Sequence, residues 1–198
     1  MAADDLDLEA VDFLLNQHAQ IRAGLREVAG AHGPARAAAF ADLRRLITVH
    51  ETAEQEVLHP RMKEFAESAP EPRTLRADAT PSPGPPSLDI ESLLGQERHG
   101  TELLAELDRL DPESAEFDSR FTRLAVEIIA HADHEELEEF PVVRQRLDVE
   151  ERLRMGHALR IAEAAAPRHP DPARGSHSPV GVIVDRVRDA IREAFSSH

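Results

Sequence analysis

Apolar residues along this chain recur at spacings of three and four, the period of helices that bury one face. Between about residues 7 and 29, Leu14, His18, Ile21, Leu25 and Val28 fall on one such stripe. The segment GAHGP (30–34) interrupts it. A second stripe runs from about 35 towards 67 and carries Phe40, Leu43, Ile47, His50, Glu54 and Val57. Imidazole and carboxylate therefore occupy positions that the period assigns to a core. Pro60 lies inside this stretch, where the missing backbone donor predicts a kink or an early end.

Residues 69–87, APEPRTLRADATPSPGPPS, read as an exposed linker. A third helix is expected from about 88 to 110. Asp111-Pro112 then predicts an N-cap with proline at the first position of a fourth helix. That helix carries Phe117, Phe121, Leu124, Ile128, His131 and Glu135 on one stripe before Pro141. An Ala-rich fifth helix is expected over about 148–165. A second linker, PRHPDPARGSHSP (167–179), leads to VGVIVDRVRDAIREAF, an amphipathic helix expected to be capped by Ser178-Pro179.

The two polar-bearing stripes are copies of one pattern. Phe40, Leu43, Ile47, His50, Glu54 and Pro60 match Phe121, Leu124, Ile128, His131, Glu135 and Pro141 at an offset of 81 residues, which also carries His18 onto His99. Each half is then an αα-hairpin with one His on its first helix and HxxxE on its second. Two such hairpins predict an all-α, up-down four-helix bundle over residues 1–147, with the Pro-rich linker between the hairpins and a helical extension over 148–198. His18 and His50 stand 32 residues apart, as do His99 and His131. At about 1.5 Å rise per residue, each pair falls within roughly one turn of a common height.

Composition agrees with an all-α chain and narrows the partners. Of 198 residues, 41% are hydrophobic and only 4% aromatic, with no Trp and no Tyr. A net charge of -15 repels the phosphate backbone of nucleic acids. The absence of cysteine removes disulfides, thiolate metal sites and cysteine nucleophiles. The acidic start, MAADDLDLEAVDFLL, lacks the positive region of a signal peptide, and no apolar run approaches a membrane span. A cytoplasmic protein with neither nucleic-acid nor membrane partners is expected.

The candidate chemistry is metal binding. Residues four apart on a helix share a face, so each HxxxE projects an imidazole and a carboxylate into one space. His18, His50, Glu54, His99, His131 and Glu135 all lie on buried stripes. Two buried carboxylates without counter-charge would cost several kcal/mol each. Cations between them would remove that cost. Imidazole with carboxylate and no thiolate suits iron, manganese or zinc better than calcium or magnesium. Glu136 competes with Glu135 for the bridging place, and Glu138 falls on the stripe, either as an extra ligand or a partner behind the ligands or, the reading slightly favoured, as a carboxylate at a fraying helix end. His134 is expected to be exposed or behind the ligands, and His32, His59, His157, His169, His177 and His198 to be solvated. A ferritin-like site needs Glu-x-x-His on two helices, and only Glu56-x2-His59 fits. A zincin needs HExxH, and Glu138 stands where its second His belongs.

His18, His50-x3-Glu54, His99 and His131-x3-Glu135 resemble the H…HxxxE…H…HxxxE pattern of the hemerythrin-like HHE cation-binding family, over about residues 6–145. The resemblance implies a non-haem pair of iron ions with an oxo or hydroxo bridge, manganese or zinc being substitutes. By it, the four histidines are terminal iron ligands and Glu54 and Glu135 are bridging ones. Oxygen-carrying hemerythrins add a fifth histidine as HxxxH on the third helix, where this chain has Leu103. That departure argues against reversible oxygen carriage. The resemblance implies a protein that binds or responds to oxygen, peroxide or nitric oxide. Its alternatives are a catalase-like enzyme consuming peroxide, or an iron-binding bundle that senses iron without gas chemistry. The linker and terminal helices leave room for a homodimer or another protein partner.

Overall fold

The computed structural model describes residues 8–68, 99–100, 102–165, 183–189 and 191. The linkers expected at 69–87 and 167–179, and the Ser178-Pro179 cap, lie outside the described residues. Every described element is helical, and no strand occurs among the described residues.

Helix α1 spans Ala10–Gly30 and buries Leu14, Ile21, Leu25 and Val28 on one face. Ala31 and His32 are extended, Gly33 adopts a left-handed φ of 59°, and Pro34 opens α2, Gly33–Ala53. A residue with a Cβ is strained at that φ, so glycine makes the turn possible. Of the kink or early end expected near Pro60, the early end does not occur, and the helical path is irregular there instead. A π-helical turn, Glu54–Leu58, follows α2, and the chain continues as α3, His59–Ser68. The same device recurs later. After helical residues 99–100 and 102–107 (α4), α5 spans Ala115–His134, a π turn covers Glu135–Glu139, and α6 spans Phe140–Arg146. Helix α7 is Val149–Ala165, and residues 183–189 and 191 are helical again (α8).

The start of α5 corrects one expectation. Ser114, not Asp111, is its N-cap and accepts from the Phe117 amide at 3.1 Å. Asp111 instead holds the preceding turn, accepting from Glu113 N through Oδ1 and from Ser114 N through its carbonyl. A turn closed by its own side chain competes with helix initiation, and the helix begins after it.

Two apolar clusters fill the core. One gathers Leu14, Val49, Val57, Leu58, Met62, Phe140 and Val143 with Met155 and Leu159 of α7 and Ile183, Val187 and Ile191 of α8. The other gathers Ile21, Leu25, Phe40, Leu43 and Ile47 with Leu103, Leu104 and Leu107 of α4 and Phe117, Phe121, Leu124 and Ile128 of α5. Helix α7 lies close against the start of α1 because Gly156 has no side chain: a Cβ there would sit 2.4 Å from the Leu8 carbonyl oxygen. Arg152 and Arg144 fasten the same corner through the Glu9 carboxylate at 2.7 and 3.1 Å. No helix among the described residues is long and apolar enough to cross a membrane.

Candidate metal centre

A polar layer lies between the two clusters. On α1, Gln17 and His18 fall between Leu14 and Ile21. His50 of α2 and Glu54 of the following π turn fall between Ile47 and Val57, and His131 of α5 and Glu135 of the second π turn follow Ile128. His18, Glu54, Glu135 and Glu139 are 0% exposed, and His50, His59 and His131 are buried beside them. Ligand-type atoms of His18, His50, Glu54 and Glu135 all lie within 4.8 Å of one another. Those of His59, Glu135 and Glu139 form a second group by the same measure, so Glu135 belongs to both.

The rings are aimed by groups behind them. Gln17 Nε2 donates to Glu163 Oε2 at 3.4 Å, which leaves Gln17 Oε1 to accept from His50 Nδ1 at 3.0 Å. His18 Nδ1 donates to Glu136 Oε1 at 2.8 Å, and Arg22 holds that same oxygen at 2.7 Å. Hydrogen on both Nδ1 atoms turns both Nε2 atoms inward, the arrangement carboxylate- and amide-backed metal ligands use. Burial, with the neighbouring His18 imidazole, pushes the His50 pKa well below the ordinary imidazole value, so this ring is neutral with its lone pair on Nε2.

The distances then test a cation. His18 Nε2 is 3.0 Å from His50 Nε2 and 3.2 Å from Glu135 Oε2, and His50 Nε2 is 3.3 Å from Glu54 Oε2. Neighbouring ligands each about 2.1 Å from one ion lie about 3.0–3.4 Å apart in octahedral or tetrahedral geometry. A single proton on His18 Nε2 serves only one of Glu135 and His50 at a time. One metal ion accepts all four ligands at once. The donor set therefore fits a transition-metal ion.

Glu135 faces two ways. Its Oε2 addresses His18, and its Oε1 lies 3.2 Å from His131 Nε2. Burial by itself would raise the pKa of this carboxyl group. Hydrogen bonds from His131 and His18 more than offset that, holding it well below the usual carboxylate range. His59 is pushed down to about 4, by burial first and by His131 next, against the opposing pull of Glu135. Phe140 stacks on the His18 ring at 5.5 Å and closes that side to water.

Of the six residues expected in the site, His18, His50, Glu54 and Glu135 meet in one group, and His131 flanks it through Glu135. His99 does not join them. Its side chain is 42% exposed, with Arg123 Nη2 at 2.7 Å and the Glu127 and Glu102 carboxylates at 3.6 and 3.9 Å. Helix α4 buries Leu103, Leu104 and Leu107, and His99 stands at the start of that stretch, where surface charges satisfy the ring. Glu136 lies behind His18 rather than beside Glu135. Glu138 and His134 are paired at the surface at 3.5 Å.

His59 corrects a second expectation, since it is buried rather than solvated. Glu139 is a ligand-type residue that the periodic reading passed over. Both follow from the π turns. In a π turn the N–H bonds five residues back, as from His59 to Glu54 and from Phe140 to Glu135, which changes the face on which the following residues emerge. The signal was present as Pro60 and Pro141, each of which removes a regular helical bond just after its HxxxE. Comparison with family models, with curated proteins and with solved structures finds no match to this chain.

Proposed function

We propose that this chain is a hemerythrin-like metalloprotein: an up-down four-helix bundle with helical extensions, holding a pair of non-haem iron ions and binding or responding to oxygen, peroxide or nitric oxide. One observation carries the reading. Two backed imidazoles and two buried carboxylates converge from three helices with the mutual spacing of ligands on one ion. The 81-residue repeat supports it, because both π turns, Glu54–Leu58 and Glu135–Glu139, fall at equivalent places in the two halves. The two oxygens of Glu135, each near a different histidine, suit a carboxylate shared between two ions.

Bound iron would supply redox change and open positions for a small ligand. The chain's own residues have simpler tasks. Gln17 and Glu136 fix the rings, Glu54 and Glu135 balance the cationic charge, and Phe140 and the flanking clusters exclude bulk water. A layer closed in this way favours small ligands such as oxygen, peroxide or nitric oxide over larger substrates.

The test is metal analysis of the full chain after aerobic loading with ferrous iron and desalting, followed by mixing with peroxide and, separately, nitric oxide. Retained iron that is lost in His50→Ala, with a stoichiometric spectral change on nitric oxide, supports the reading. Multiple turnover of peroxide would mark an enzyme instead. A chain that retains no iron, manganese or zinc overturns it.

A further inference from the structure

The exposed position of His99 leaves the second half of the polar layer without the ligand that the repeat leads one to expect. At the same level the structure brings in two others, His59 and Glu139, neither of which belongs to an HxxxE pair with a counterpart in the other half. Their repeat equivalents are Phe140 and Leu58, both apolar. The two residues are therefore departures from the internal symmetry, and both occur where that symmetry fails.

Their placement is that of ligands. His59 is the first residue after one π turn and Glu139 the last residue of the other. Glu139 is 0% exposed and His59 is 4% exposed, and ligand-type atoms of both lie within 4.8 Å of each other and of Glu135. Glu135 itself lies within the same distance of His18, His50 and Glu54 in the first group. His131 Nε2 is 3.2 Å from the Glu135 oxygen opposite the one that faces His18. An imidazole and two carboxylates, one of them shared, make a cation position beside the first.

We infer that His59 and Glu139, with the shared carboxylate of Glu135, form a second metal position in which they take the place of His99. This rests on the reading of the first position as a metal site. The two positions then differ in character. The first holds His18, His50, Glu54 and Glu135, whereas the second holds His59, Glu139 and the shared Glu135, with His131 3.2 Å from that carboxylate. The two positions should fill with different affinities, the pair being unequal by construction.

The experiment is titration of the metal-free full chain with manganous ion, read by the free-ion paramagnetic resonance signal, in wild type and in His59→Leu, Glu139→Gln, His99→Leu and His50→Leu. Circular dichroism confirms folding, and Glu139→Gln, which keeps the side chain's shape, serves if His59→Leu does not fold. The expected result is about two ions in wild type and His99→Leu, and about one in His59→Leu and Glu139→Gln. The tight ion remaining in those two variants should weaken at least tenfold when His50→Leu is added. Two ions retained in Glu139→Gln, or one lost in His99→Leu, overturns the assignment. A single ion in wild type also overturns it while leaving the first position standing. No bound ion in wild type means that the underlying metal reading has failed.

Discussion

The Nε2 atoms of His18 and His50 face each other at 3.0 Å, and the ring of each is held from behind by a hydrogen-bond acceptor on its Nδ1. A shared proton or a cation held by both nitrogens accounts for this approach. The relationship makes the supports behind the rings as consequential as the ligands themselves.

Gln17 is the first such support. Gln17→Leu removes the acceptor for His50 Nδ1 and frees the ring to turn. Metal affinity should fall about 10- to 100-fold, with the helical circular dichroism spectrum retained. Competition with a chelator of known affinity measures this. Unchanged affinity would show that the amide does not orient the ring.

Glu136 is the second. Glu136→Ala takes the partner from His18 Nδ1 and leaves Arg22 only Asp133, whereas Arg22→Met leaves the carboxylate in place. The first substitution should weaken metal binding about 10-fold or more and the second by much less. Equal effects would mean that the arginine and not the carboxylate positions the ring.

Gly156 tests the packing that carries α1 to its place. In Gly156→Ala the new Cβ meets the Leu8 carbonyl oxygen, a backbone atom that also accepts from Arg160 at 2.9 Å. Relief requires α7 and the start of α1 to move apart, at a cost of about 1–3 kcal/mol. A thermal melt of the variant should fall by several degrees. A melt at or above the wild-type midpoint would show that this corner is loose.

Acid should destabilise the metal-free chain through its buried histidines. His59 titrates at about 4 in the folded chain, below the ordinary 6.5 it regains on unfolding. Between those values the unfolded chain binds more protons, so stability is present above pH 6.5 and declines as pH falls towards 4. The loss from this group is on the order of 3 kcal/mol. His50 acts in the same sense, and Glu135, whose folded pKa is depressed, adds a further loss below the usual carboxylate range. Urea unfolding at pH 7 and pH 4.5 measures the effect. Equal midpoints would contradict it.

Local periodicity made much of this legible. Leu14, Ile21, Leu25 and Val28 define α1 by spacing, and Phe117, Phe121, Leu124 and Ile128 define α5, because helical geometry fixes which residues share a face before any partner is present. The same rule placed His18, His50, Glu54 and Glu135 on buried faces. It failed for His59 and Glu139, since a regular 3.6-residue period does not anticipate a turn with bonds five residues long. It failed for His99 as well, whose ring has polar partners at the surface.

What the sequence determined by itself was the helical composition of the chain, the internal repeat and the presence of imidazole and carboxylate on core faces. These follow from short-range sterics and burial, which a pattern of residue types encodes directly. The membership of the polar layer was decided only by the tertiary structure. It depends on where two π turns rotate the chain and on which histidine finds its polar partners outside the core. Those choices are settled by packing between segments far apart in the chain, which no local spacing contains.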